Sequence, residues 1–442
     1  MTKYTIAKFS IIAAFAGFLF GFDTIVISGT DKQLQELWKG YTLIGNNDLF
    51  HGFVVITSAL WGTVIGALLG GIPTNVLGRK KTLFFIGIFY SISALGSALV
   101  SDPISFALFR FLGGLGVGVS TIAAPAYISE IAPADKRGRL VALYQFNIVF
   151  GIVIAFLSNF LLKDLGQSAW RWMIGVEAIP ATIYTFLSIS IPRSPRWLLV
   201  KRNNRQEARE ILQLVNPKAD VEKEINSILL AEKNTNKKEN IFTRKYRFLL
   251  FLAFAIAFFN QFSGINAFLY YAPRIFLEAG LGKSTAFLSS IGIGLINLIF
   301  TLIGLSLIDK LGRKTLMCIG SFGYIISLSM VAAAFLYNWE GLSVPIFLFI
   351  FIASHAIGQG TVIWVFIAEI FPNHFRAYGQ SVGSSTHWIL AALIPAFIPH
   401  LFKTFTPWPV FAFFAFMMVI QLLWVIFLMP ETKGKSLESI SV

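Results

Sequence analysis

Apolar residues fill this chain in windows of about 20, the length an α-helix needs to cross the hydrocarbon core of a bilayer. Twelve windows predict twelve spans, at 8–29, 50–73, 82–100, 103–126, 140–163, 171–191, 247–273, 284–308, 315–337, 343–371, 378–402 and 407–429, numbered here 1 to 12. Within lipid the backbone finds no water to bond with, so each window must be helical. One long polar stretch, 194–245, follows span 6 and leaves six spans on either side. Inside it, 204–215 and 220–232 carry apolar residues at helical spacing among charges, which predicts two short helices on the inner membrane face; Asn234–Asn240 reads as a flexible linker. The fold class is all-α. The expected organisation is a six-helix bundle over 1–193, a cytoplasmic helical linker over 194–245, and a second six-helix bundle with a short cytoplasmic tail over 246–442.

Composition agrees with this pattern, and charge refines it. Of 442 residues 56% are apolar and 13% charged, roughly half the charged share of a soluble domain. A net charge of +14 would suit a nucleic-acid binder. Its placement argues against one. With a cytoplasmic N-terminus the external loops hold seven Lys/Arg (Lys32, Lys39, Lys163, Arg171, Arg274, Lys283 and Lys403), Arg110 lies inside a span, and the other twenty-eight of thirty-six face the cytoplasm. That is the positive-inside asymmetry of a multi-pass membrane protein with both termini cytoplasmic, and it calls for a lipid bilayer and no nucleic acid. The opening Met-Thr-Lys-Tyr-Thr runs into a full-length span with no small-residue cleavage site, so span 1 is expected to be retained. Cys318 stands alone, which leaves no intramolecular disulfide.

The two halves repeat. Asn75-Val-Leu-Gly-Arg79-Lys80 follows span 2 and Asp309-Lys-Leu-Gly-Arg313-Lys314 follows span 8. Glu130-Ile-Ala-Pro leads to Arg137 after span 4, and Glu369-Ile-Phe-Pro leads to Arg376 after span 10. Parallel six-helix repeats mark transporters that work by alternating access about a site between the halves near the midplane. Arg79, Lys80, Glu130, Arg137, Arg196, Arg313, Lys314, Glu369 and Arg376 all sit at cytoplasmic span ends, where ion pairs can form on closure and break on opening, as a cytoplasmic gate. Topology-setting charge is the plainer account of the same residues.

Polar residues inside the spans are costly in lipid and so are functional candidates. Asp23 (span 1), Arg110 (span 4) and Glu177 (span 6) could form a proton site, because burial raises a carboxyl pKa while a neighbouring guanidinium lowers it. A static ion pair is the alternative. The amides Gln145, Asn260, Gln261, Asn266 and Asn297 and the indoles of Trp364 and Trp388 are what a neutral polyol needs, namely paired donors and acceptors with a stacking face. Single buried amides more often join helices to each other. The Gly-Gly-Leu-Gly-Val-Gly run at 113–118 should let span 4 approach a neighbour closely.

In order, the motifs are Gly21-Phe-Asp-Thr-Ile-Val-Ile-Ser-Gly29, Gly78-Arg-Lys80, Arg110-Phe-Leu-Gly-Gly-Leu-Gly-Val-Gly118, Pro125-Ala-Tyr-Ile-Ser-Glu-Ile-Ala-Pro133, Pro192-Arg-Ser-Pro-Arg196, Asn260-Gln-Phe-Ser-Gly-Ile-Asn266, Gly312-Arg-Lys314 and Pro430-Glu-Thr-Lys-Gly434. The set resembles the sugar porter family of the major facilitator superfamily from span 1 to the C-terminus. The resemblance implies a monosaccharide–proton symporter of a bacterial-type inner (plasma) membrane, monomeric, with no cofactor and no metal. It matches Asp23 to the proton-accepting carboxylate of symporters and Arg110 to its partner. It matches Gln145, Asn260, Gln261, Asn266, Asn297, Trp364 and Trp388 to sugar contacts, with Phe20 and Tyr270 as apolar walls.

The chain departs from the family pattern at several places. Arg193 stands where the family has Glu, and Asn75 where it often has Asp. Asn260 replaces the first Gln of a Gln-Gln pair, and His387 stands where many glucose and xylose carriers have Gln or Asn. With His355, this is similar to animal fructose-carrying members, although those usually lack the indole kept here at Trp364. Three rival readings remain at this point. An uncoupled hexose facilitator usually has a neutral residue at position 23. A transporter-like sugar sensor usually carries a long cytoplasmic tail, whereas about a dozen residues follow span 12 here. An enzyme would need a nucleotide loop, a metal cluster or a nucleophile–base pair, and no such pattern is present.

Overall fold

The computed structural model describes residues 2–133, 136–217, 220–233, 244–339, 341–371 and 376–434. The fold is all-α. Eleven helices among these residues are long and apolar enough to cross a membrane, and the bent pair Asn47–Ile56 and Ser58–Leu69, counted as one span, makes twelve.

Span 2 is expected to be unbroken, but it bends by 45°. His51–Ile56 winds as a π-helix that ends at Thr57, whose hydroxyl donates to the Gly52 carbonyl at 3.0 Å. Such wide turns loosen the helical ladder and mark bends. Span 6 breaks between Ala169–Gly175 and Ala178–Ile189, with Glu177 at the break. Span 7 runs Arg247–Phe262 and then Ile265–Tyr270; Gly264 between them has φ +83°, and a Cβ there would press on the Phe268 and Phe414 rings at 2.9 Å. Span 10 breaks at Gly358, between Ser343–Ile357 and Gln359–Ile370, where a Cβ would lie 2.9 Å from Gly320 Cα.

The chain falls into two compact units. The first comprises Met1–Thr24, Ser58–Ile152 and Ile174–Glu239, and the second Ile25–Thr57, Val153–Met173 and Asn240–Val442. In the first, the glycines of span 4 (Pro103–Ile131) do what their spacing predicts. A Cβ at Gly114 would fall 1.8 Å from the Ala59 carbonyl, and one at Gly118 2.4 Å from the Thr63 carbonyl, so spans 2 and 4 touch backbone to backbone. The polar stretch after span 6 supplies three helices, Pro195–Arg202, Arg205–Val215 and Val221–Lys233. The first of these is missing from the sequence expectation, although Ser194 before Pro195 is a strong helix start: its hydroxyl accepts from Trp197 N at 3.1 Å. Their apolar faces (Trp197, Leu198, Ala208, Ile211, Leu212 and Ile225) bury together against Ile6. Asn234–Asn240 lies outside the described residues.

The second unit is centred on a core from spans 7, 9, 10 and 12, including Leu252, Ile256, Leu316, Ile363, Phe366 and Trp424. Span 1's last turn is fixed there by Asn159, whose amide donates to the Val26 carbonyl at 3.1 Å.

Candidate functional site

In the first unit, Asp23 and Arg110 are buried, at 1% and 0% exposure. Arg110 Nη1 donates to Asp23 Oδ1, and Nη2 donates to the Asp23 main-chain carbonyl at 2.8 Å. Gly113 makes room for the pair: a Cβ there would sit 2.4 Å from Ser93 Oγ and 3.5 Å from Asp23 Oδ1. Glu177, at the break in span 6, is buried and interacts electrostatically with both Asp23 and Arg110. Asp23 Oδ2 and both Glu177 carboxyl oxygens are buried without a hydrogen-bond partner among the described residues. One guanidinium thus faces two carboxyl groups. Phe20 and Gln145 are half-buried in this unit.

In the second unit, the break in span 7 gathers the amides. Gln261 is the hub: its Nε2 donates to Asn260 Oδ1 at 3.0 Å and lies 3.1 Å from His387 Nδ1, while its Oε1 accepts from Asn266 Nδ2 at 2.8 Å. His387 is flanked by the rings of Trp364, 5.1 Å away, and Trp388, 4.9 Å away. Trp364 remains 37% exposed. Tyr270 is fully buried on the short helix that follows Gly264.

Two predicted residues bond elsewhere. His355 Nδ1 lies 2.6 Å from the Tyr324 hydroxyl, and Asn297 Oδ1 takes a long 3.4 Å contact from Thr301. Tyr324 escaped the sequence reading because tyrosine in an apolar window reads as packing. A buried chain from Gln359 through Gln421 to Ser321, with 2.7 and 2.8 Å bonds, escaped it too, although the rule that singled out Gln261 applies equally to both glutamines.

The repeated loop motifs have the same geometry in each unit. Gly78 has φ +84° and Gly312 φ +89°, a region open almost only to glycine. Glu130 accepts from Arg79 at 2.8 Å and from the Ser194 hydroxyl, and Glu369 accepts from Arg313 at 2.7 Å and from Thr432 at 2.6 Å. Lys314 Nζ donates to the Ile426 carbonyl, Lys80 is half-buried, and Arg137 and Arg196 are exposed. The Arg376 side chain lies outside what is described.

The family profile "Sugar (and other) transporter" matches residues 9–442. The chain belongs to the sugar porter family of the major facilitator superfamily. This porter is similar to the arabinose-proton symporter of Bacillus subtilis (strain 168), 33% identical over 440 residues, 98% of this chain and 93% of the relative. It is also similar to the D-xylose-proton symporter of Escherichia coli (strain K12), 31% identical over 472 residues, 98% and 95% of the two chains. A solved structure of the E. coli xylose transporter in a partially occluded inward-open conformation superposes with a TM-score of 0.87 at 30% identity, covering 98% of this chain and 100% of that one. The porter is a multi-pass membrane transporter, not an enzyme.

One departure from the family pattern now has a structural consequence. Glu431 accepts from the main-chain N–H groups of Arg313 and Lys314, both at 3.0 Å, and so caps span 9. The equivalent position in the first half is Arg193, which cannot accept. Its guanidinium turns to Glu207 on the helix Arg205–Val215 at 3.4 Å, and the Trp197 ring covers Gly78 instead.

Proposed function

We propose that this porter carries a monosaccharide into the cell together with a proton, by alternating access of the halves 1–193 and 246–442, as a monomer of the inner (plasma) membrane with both termini cytoplasmic. The observation that supports coupling is the Asp23–Arg110–Glu177 group, with one buried cation for two carboxyl groups. Buried charge without a counter-charge is costly, so one carboxyl of the two takes a proton, and loosening the bond from Arg110 to the Asp23 carboxylate changes which state is favoured. An uncoupled facilitator has no use for that arrangement. The sugar is held by Gln261, Asn260, Asn266 and Trp364 around His387, with Trp388 and Tyr270 behind them. Phe20 and Gln145 in the first unit, and Asn297 and His355 in the second, belong to the proposed set on the family resemblance. The charged pairs Arg79–Glu130 and Arg313–Glu369 form its cytoplasmic gate. Among sugars we assign a ketohexose, fructose, because the groups that set this chain apart are His387 bonded to the hub amide and the shorter Asn260. Counterflow of labelled sugars in proteoliposomes, with and without an imposed pH gradient, tests the reading. Sugar exchange with accumulation that follows the gradient is expected; exchange that ignores it would leave an uncoupled facilitator.

A further inference from the structure

A polar cluster that the transport residues above do not use is buried in the second unit, at the ends of spans 1, 2, 7 and 11 that the proposed topology puts outside. Asp31, just after span 1, is 1% exposed. Its Oδ1 accepts from His51 Nε2 at 2.7 Å, and its Oδ2 accepts from Arg274 Nη1 at 3.3 Å. The same Arg274 nitrogen donates to Gln35 Oε1 at 2.9 Å, Gln35 Nε2 donates to Asp48 Oδ1 at 2.9 Å, and Asp48 Oδ2 pairs with Lys403 Nζ at 3.1 Å. Asp31, Gln35, Asp48 and His51 precede residue 193, and Arg274 and Lys403 follow residue 246, so this chain of bonds joins the two sequence halves. Backbone contact seals it: a Cβ at Gly52 would fall 1.8 Å from the Ala396 carbonyl. A cavity of about 390 Å³, lined in part by Ser28, Asp31, Arg274 and Lys283, lies alongside.

We propose that Asp31, His51 and Arg274 are the latch that shuts the outer end of the transport path, and that a second proton on His51 releases it. The inference rests on the alternating-access reading, which requires these ends to part once per cycle. In the closed cluster His51 donates through Nε2, and its Nδ1 has no partner among the described residues. A neutral imidazole fits that arrangement. A second proton would bury an N–H with no acceptor, at a cost of about 1–3 kcal/mol. Its charge would be attracted by Asp31 but repelled by Arg274 on the same carboxylate, in a set in which Asp31 and Asp48 already balance Arg274 and Lys403. Of the other polar groups nearby, Lys32 pairs with Glu278 at 3.0 Å, the Tyr271 hydroxyl donates to the Pro395 carbonyl at 3.0 Å, and His400 lies 3.1 Å from Asn46, while Ser28 Oγ and Arg274 Nε have no hydrogen-bond partner among the described residues. In the open state water satisfies both ring nitrogens, so acid favours opening.

Asp31 itself titrates elsewhere. Burial pushes its carboxyl up, but the Arg274 charge, the His51 hydrogen bond and the attraction of a protonated His51 ring together outweigh burial and hold it below the ordinary carboxylate value. Its contribution to closure is present above that ordinary value and is lost only as pH falls through the lowered one.

The test reads accessibility without sugar. In a Cys318→Ser background, Ser28→Cys is labelled by a membrane-impermeant maleimide in right-side-out vesicles, and its rate is divided by that of the exposed reference Gly40→Cys to cancel thiol ionisation. The ratio should rise as external pH is lowered from about 8 to about 6, by up to about tenfold per unit, the limit for one proton. His51→Gln keeps a donor for Asp31 without titrating and should flatten the profile, while Asp31→Asn should give a high ratio throughout. A flat wild-type profile, or one unchanged in His51→Gln, overturns the latch and leaves sugar transport untouched. A pH-dependent ratio in a protein that moves no sugar would overturn the transport reading and keep the latch.

Discussion

Arg110 holds Asp23 at two points, the carboxylate Oδ1 and the residue's own main-chain carbonyl. The second bond does not depend on ionisation. Protonating Asp23 therefore removes the charge attraction while span 1 stays tethered to span 4, which suits a switch better than a pair that simply falls apart.

The tether makes the coupling test clean. Asp23→Asn keeps an oxygen acceptor and the carbonyl bond but cannot titrate. It should abolish accumulation driven by a pH gradient and spare counterflow, which moves no net proton. Full accumulation by the variant would refute the assignment. Arg110→Ala is a poorer probe, since stripping the partner from a buried charge costs about 3–5 kcal/mol of stability.

A second prediction concerns Gln261, which bonds Asn260, Asn266 and His387 at once. Gln261→Ala should weaken sugar binding by five- to a hundred-fold, the effect of about 1–3 kcal/mol for buried polar groups left unpaired. It should also free His387, so its loss should exceed those of Gln145→Ala and Trp364→Ala. Binding isotherms of the three variants decide this, and near-wild-type affinity in all three would place the sugar elsewhere.

These two groups show how far the sequence could be read. The spans follow from the lengths of the apolar windows, and the buried Asp23–Arg110 pair follows from lipid chemistry, because an ionised side chain among apolar residues must find a partner. The span breaks were only partly legible. Gly264 announced itself through a Gly-interrupted amide run, whereas the bend at Thr57 depends on a hydroxyl-to-carbonyl bond that any threonine in a helix could make. The Asp31–His51 contact was hidden because it joins a loop residue to a π-turn 20 positions on, and no periodicity links them.

Arg193 offers a stability test of the repeat. Glu431 caps span 9 with two main-chain bonds, and span 3 lacks the equivalent carboxylate. Arg193→Glu gives up a half-exposed pair with Glu207, worth at most about 1 kcal/mol. It gains a carboxylate at a helix N-terminus, worth about 0.3–1 kcal/mol from the dipole plus the new hydrogen bonds. The midpoint of thermal unfolding in detergent should rise modestly. A fall would mean that the Trp197 ring over Gly78 leaves no room for the cap.

Sugar choice is the last test, and it turns on His387. A ketohexose and an aldohexose differ at their first two carbons, so the groups facing that end must tell them apart. A site built to hydrogen-bond a hydroxyl rejects an analogue lacking it, because its own groups are left unpaired. His387 is held by Gln261 at 3.1 Å and packed between two indoles, so it presents a fixed ring rather than a flexible amide. Asn260 withdraws its amide by one methylene relative to glutamine. Fructose should therefore be transported at least as well as glucose, and His387→Gln combined with Asn260→Gln should shift preference toward glucose or xylose. Competition of unlabelled sugars against labelled fructose, in wild type and the double variant, measures both. Should glucose or xylose compete in wild type while fructose does not, the imidazole serves packing, and the choice of sugar lies with the amides alone.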